Sequence, residues 1–228
     1  MAATPRIKID RKALRDPDEF HLLGARATAW AAANRQLLYA VAGTVAAVLL
    51  VALALSWYRD RQVAAAGVRF SLAHGEFAAG RLEEATTSFE ALHRDYGGTP
   101  FGQLALLYRG HALSRRGDHA GAVAAYEAYL AARVPADYLR QQALLGLGEA
   151  SLASGDLARA REALGQAADI AGPFRTPARL ALARLAESGG DSEKARELYA
   201  AVLSETPAGT PLREFLEGRV EGASASRP

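Results

Sequence analysis

Four times in this chain a glycine is followed by an alanine five residues on, and then by a large apolar side chain four residues further. The copies are GRLEEATTSF from Gly80 to Phe89, GDHAGAVAAY from Gly117 to Tyr126, GDLARAREAL from Gly155 to Leu164 and GDSEKARELY from Gly190 to Tyr199. Their glycines lie 37, 38 and 35 residues apart. A period of that length marks a supersecondary unit that stacks on copies of itself. The residue types say which unit. The glycine ends one helix through a left-handed turn that a side chain would oppose. An aspartate follows it in three of the four copies and can cap the next helix. The alanine is small because a neighbouring helix crosses close to it, and the Phe, Tyr or Leu one turn later fills the gap on the same face. Before each glycine lies an apolar segment of helical character, at 68–77, 104–113, 143–152 and 178–186.

This pattern resembles the tetratricopeptide repeat, whose period is about 34 residues. The family's small residues fall where Ala85, Ala122, Ala160 and Ala195 stand. Its Leu-Gly pair survives as Leu147-Gly148 and is degraded to Arg109-Gly110, Leu72-Ala73 and Leu182-Ala183. The resemblance implies an all-α fold: about four degenerate repeats, eight antiparallel helices, stacked as a solenoid. Stacking leaves the last repeat in need of a cap. Residues 211–220 (PLREFLEGRV) supply an amphipathic candidate through Leu212, Phe215, Leu216 and Val220. The repeat domain is expected over 58–221, with 222–228 as a disordered tail.

Ahead of the repeats, 21 residues from Leu37 to Trp57 carry no charge. As a helix they span roughly 32 Å, enough for a hydrocarbon core of about 30 Å. Tyr39 sits near one end and Trp57-Tyr58 at the other, as interfacial aromatics do. A transmembrane helix over 37–57 is therefore expected. A cleaved signal peptide fits less well, because 36 residues precede the apolar run. Residues 1–36 form a basic tail with seven Lys or Arg and four acids, while the rest past the span is near balance, with 20 bases and 21 acids. The positive-inside rule then places the tail in the cytoplasm and the repeats outside, which is the periplasm in a Gram-negative cell. Within the tail, Phe20, Leu23, Ala27, Trp30 and Leu37 fall near one helical face. That short helix either leads into the span or lies in the membrane interface.

The composition excludes several classes of chemistry. There is no cysteine, hence no disulfide, cysteine zinc site, iron–sulfur cluster or thiol catalysis. A formal net charge of +2 disfavours nucleic acid as a general partner. His21, His74, His93, His111 and His119 form no metal-binding frame, and neither a nucleophile elbow nor a phosphate loop occurs. Gly146-Leu147-Gly148 has no strand before it and reads as helix packing. No enzyme activity, metal or cofactor is expected. The repeat class offers a groove instead, lined by the first helix of each pair. The glycine phase puts Phe70, His74 and Phe77 there from repeat one, and Leu107, His111, Ser114 and Arg115 from repeat two. Repeat three gives Leu145, Glu149 and Leu152, and repeat four Leu180, Arg184 and Glu187. Apolar and charged residues alternate along this face, which suits an extended or helical peptide. The same pattern also fits ordinary core residues beside a solvated face.

The order of parts, with Ala33-Asn-Arg-Gln-Leu-Leu entering the span, Trp57-Tyr-Arg-Asp-Arg leaving it and Pro211-Leu-Arg-Glu-Phe-Leu-Glu after the last repeat, resembles the YfgM-like family over about residues 30–220. Members are ancillary subunits of the bacterial SecYEG translocon. The resemblance implies a single-pass inner-membrane protein with its repeats in the periplasm. It also implies partners: translocon subunits, a membrane-anchored periplasmic chaperone related to prolyl isomerases, and exported chains. The other reading is a structural scaffold of a different envelope assembly, for secretion, division or cytochrome assembly.

Overall fold

The computed structural model describes residues 17–132 and 136–222. Among them are ten helices and no strand: α1 (Pro17–Ala33), α2 (Arg35–Ala78), α3 (Leu82–Tyr96), α4 (Pro100–Arg116), α5 (His119–Ala131), α6 (Asp137–Ala153), α7 (Leu157–Asp169), α8 (Arg175–Ser188), α9 (Ser192–Glu205) and α10 (Pro211–Gly222). The chain divides into two compact units, 1–59 and 60–228.

In the first unit, α1 begins at Pro17, where a proline's missing N–H leaves nothing unsatisfied. The backbone hydrogen bonds continue through Asn34, whose amide and side chain both donate to the Trp30 carbonyl at 2.9 and 2.8 Å. The charge-free run is helical and exposed throughout. Among the described residues, α2 is the one helix long and apolar enough to cross a membrane by length and composition. The backbone of α2 runs on past Trp57 without a break to Ala78, so the apolar run and the first repeat helix share one helix. Arg59, Asp60 and Arg61 end the apolar run, but they are compatible with helix and do not stop it.

In the second unit the repeat pattern becomes eight helices in order, from the end of α2 to α9, with α10 as the ninth. Gly80, Gly117, Gly155 and Gly190 all have positive φ, between 76° and 86°. A residue with a side chain is strained there, which explains glycine at this phase of every repeat. Asp118, Asp156 and Asp191 then cap α5, α7 and α9. Each carboxylate accepts from a backbone N–H three residues on, at 2.9, 3.0 and 3.0 Å. Arg81 holds the same place before α3 with a similar backbone and no side-chain cap.

The phase alanines Ala85, Ala122, Ala160 and Ala195 are buried, and so are Phe89, Tyr126, Leu164 and Tyr199. Gly148 lies against Leu164, where an added Cβ would meet the leucine Cγ at 2.5 Å. Close packing of first and second helix is thus what the glycine permits. Between α7 and α8 the fully buried Gln141 ties the loop. Its Nε2 donates to the Ala167 and Ile170 carbonyls at 2.9 and 2.7 Å, and its Oε1 accepts from the Phe174 N–H at 3.1 Å. The cap is as expected: Leu216 is fully buried against Tyr199 and Val202, with Leu212 and Val220 beside it. α10 includes Gly222. Residues 1–16 of the basic tail and the expected frayed end from 223 lie outside the described residues.

Candidate functional site

The repeat phase aligns one residue from each first helix into a column: His74, His111, Glu149 and Arg184. Around the first two, the structure gathers aromatic rings. Tyr108 meets Phe70, His74 and Phe77 edge-on, with ring centroids 5.2, 5.3 and 6.1 Å away. On its other side Tyr108 meets His111 at 5.7 Å, and His111 meets Tyr126 at 5.4 Å. Arg115 stacks over the Phe77 ring at 4.7 Å and donates to the Phe77 carbonyl at 3.3 Å, joining repeats one and two. Edge-to-face pairs of this kind add to plain area burial.

His111 is held at both ring nitrogens. Nδ1 lies 2.7 Å from the Tyr126 hydroxyl and Nε2 lies 3.3 Å from Gln142 Nε2. A neutral ring satisfies both contacts, with Nδ1–H donating to Tyr126 and Nε2 accepting from the amide. Burial lowers the His111 pKa to about 4. Burial likewise pushes the Tyr126 hydroxyl up, helped by the charge of Glu149. The Tyr126 ring sits between two glycines of different helices. A Cβ at Gly110 on α4 or at Gly146 on α6 would lie 2.6 Å from it. Glycine at 146 therefore lets repeat three approach the tyrosine of repeat two.

Further along, the character changes from aromatic to charged. Surrounding protein raises the Glu149 carboxyl above its ordinary value, and Arg184 opposes that rise. Glu187 accepts from the Tyr199 hydroxyl at 3.1 Å and pairs with Arg219 of the cap. His74, Arg115, Glu149, Arg184 and Glu187 are exposed, while Phe70, Phe77, His111, Ser114, Leu145, Leu152 and Leu180 are half-buried. Leu107 differs from the expectation. It is fully buried in the core with Leu106, Ala122 and Tyr126, so it supports the face from below and offers no surface to a ligand. Tyr108 and Gln142 were not picked out by the phase. Their counterparts in other repeats are residues such as Ser71 and Gly67, so no periodicity marks them. The one local signal was an aromatic placed three residues before His111, on the same helical face.

The surface can stack on flat or apolar side chains at one end and pair with both signs of charge at the other. Among the described residues no cluster of three or more His, Asp or Glu could hold a metal ion.

Comparisons with known proteins agree with the helical-repeat fold. Residues 70–137 and 109–176 match the tetratricopeptide repeat family. Over this segment the chain is similar to a tetratricopeptide repeat array. The fold is similar to nearly identical TPR-like repeats from Podosopora anserina, at 22% identity and a TM-score of 0.57, over 69% of this chain and 84% of that one. It is also similar to a MamA protein, at 16% identity and 0.57, over 70% and 86% of the two chains. A tetratricopeptide repeat protein from Parabacteroides merdae matches at 15% identity and 0.59, over 70% of this chain and 60% of that one. The comparison with curated proteins finds no match. Tetratricopeptide arrays are typically non-catalytic scaffolds that bind protein partners, and the repeats imply that role here.

Proposed function

We propose that the chain is a membrane-anchored adaptor that holds segments of other polypeptides along the first-helix face of its repeats. The observation that carries this reading is the ring-lined surface of Phe70, His74, Phe77 and Tyr108, continuous through His111 with the charged stretch at Glu149 and Arg184. Such a face suits a peptide with apolar residues at one end and charges at the other. Residues 37–57 form the membrane span, with 1–36 in the cytoplasm and 58–221 as the repeat domain in the periplasm of a bacterial inner-membrane protein. The charge-free exposed run on α2 and the basic tail support this topology. By its resemblance to the YfgM-like family, the adaptor serves the Sec translocon, and hands exported chains to a membrane-anchored periplasmic chaperone without catalysing a reaction.

Two experiments test the two halves. Because the chain lacks cysteine, Thr4→Cys and Ser224→Cys can each be labelled in intact spheroplasts with an impermeant maleimide. Labelling at 224 and not at 4 is expected, and the reverse overturns the topology. Photo-crosslinkers at His74 and Glu149 should capture translocon subunits or exported chains. Capture of only another envelope assembly would replace the adaptor with a structural scaffold.

A further inference from the structure

The array is closed at one end. At its C-terminal end α10 covers Tyr199 and Val202. At the N-terminal end, the outward face of the first repeat helix is left uncovered by the described residues. Repeat phase allows a position-by-position comparison. Where repeat one has Val68, the later repeats have Ala105, Ala143 and Ala178, all fully buried. Where it has Gly75, they have Ala112, Ala150 and Leu185, again all buried. Leu72 corresponds to Arg109, Leu147 and Leu182, which are buried or half-buried. Yet Val68 and Leu72 themselves are 65% and 67% exposed. Among the described residues, the surface that each later repeat presses against the one before it has no such neighbour in repeat one.

Beside that face a cleft of about 220 Å³ opens between α2 and α3, walled by Leu72, Glu76 and Arg69 on one side and Ser88 and Leu92 on the other. Glu76 Oε2 is buried there, and among the described residues no protein group hydrogen-bonds to it. Arg69 does not serve it, being paired with Asp95 at 3.0 Å and stacked over the Tyr96 ring at 4.9 Å. A desolvated carboxylate oxygen without a partner is unfavourable, and a cation relieves it.

We propose that this end of the array is a second docking face, distinct from the peptide-binding surface of the proposed function. It takes one amphipathic helix of a partner protein, carrying a Lys or Arg that enters the cleft and pairs with Glu76. The helix continues, by one more layer, the interface that recurs between successive repeats. Small or apolar residues of the partner cover Val68, Leu72 and Gly75, and the basic stem lies along Leu72, Ala73 and Leu92. A second copy of this chain is the poorer occupant. Parallel pairing along α2 would set Glu76 against Glu76, a like-charge contact between half-buried carboxylates.

The test uses the full chain in native membranes with a benzoylphenylalanine photo-crosslinker at Leu72. The same crosslinker at Leu157, exposed on α7, is the control. Adducts at Leu72 should exceed the control and map by peptide mass to a helical segment of another protein with a Lys or Arg within one turn. Glu76→Lys should lower their yield by about tenfold, the scale set by losing one charge pair, and leave adducts from His74 unchanged. Glu76→Gln, a milder change, should lower the yield in the same direction and carries the test if Glu76→Lys melts early. The proposal is overturned by adducts to this same chain, whether tail or second copy, by lipid adducts alone, by no excess over Leu157, or by a partner helix without a basic residue. A yield indifferent to both Glu76 substitutions would overturn it too. Loss of His74 adducts alone would count against the groove and leave this face standing.

Discussion

Tyr126 shows how much one side chain can determine. Its ring fits between Gly110 and Gly146, and its hydroxyl engages His111. Gly146→Ala puts a methyl group 2.6 Å from that ring. The change should destabilise the full chain in mild detergent by about 1–3 kcal/mol despite the better helix propensity of alanine, read from thermal melts. His111 gives a pH signature. Its folded pKa of about 4 lies below the ordinary 6.5, so the unfolded chain binds the proton first as pH falls. The stabilisation from a neutral His111 is whole above pH 6.5 and is lost as pH drops through that window toward 4. Its full extent is on the order of 3 kcal/mol. His111→Asn should flatten the dependence of melting temperature on pH between 7 and 4.5; a wild-type and variant slope that match would remove His111 as its source. Periodicity marks His111 and Tyr126 one by one but not the contact between them. The repeat phase identifies a face but not a depth, which is why Leu107 was expected at a surface it only underlies. Tyr108 and Gln142 were missed because their positions carry different residue types in every other repeat.

At the scale of the helix, start and stop signals were legible because each has a local cause. A left-handed glycine and a capping aspartate act within four residues, and three of the four junctions carry both. The exception offers a gain. Arg81 has φ −78° and ψ 72°, close to the −82° and 74° of Asp118, yet it caps nothing. Arg81→Asp should therefore stabilise the array by about 0.5–1 kcal/mol, whereas Asp118→Ala or Asp156→Ala should each cost about 0.5–2 kcal/mol. Chemical denaturation of the four proteins would rank them. The end of the apolar run is not the end of a helix, for an equally physical reason. Charges at Arg59, Asp60 and Arg61 terminate a stretch suited to lipid, but a helix needs Gly, Pro or an alternative hydrogen bond to end. Gly67 and Gly75 stay helical inside α2, and the first glycine with a left-handed backbone is Gly80.

For the molecule as a whole, stability in a stacked array is a sum over neighbours, so its ends matter more than its middle. Deleting residues 211–228 uncovers Tyr199 and Val202. Amide exchange should then accelerate first in α9 and α8, and leave α4 and α5 protected. Uniform acceleration across all the repeats would mean that the cap acts through the entire stack. The middle is bound differently, through the tyrosine wedged between its two glycines. Pulled apart between tethered beads, most such chains would lengthen in a staircase of one step per repeat. Here the second and third repeats share a single bolt, and they should let go together, in one double-height step.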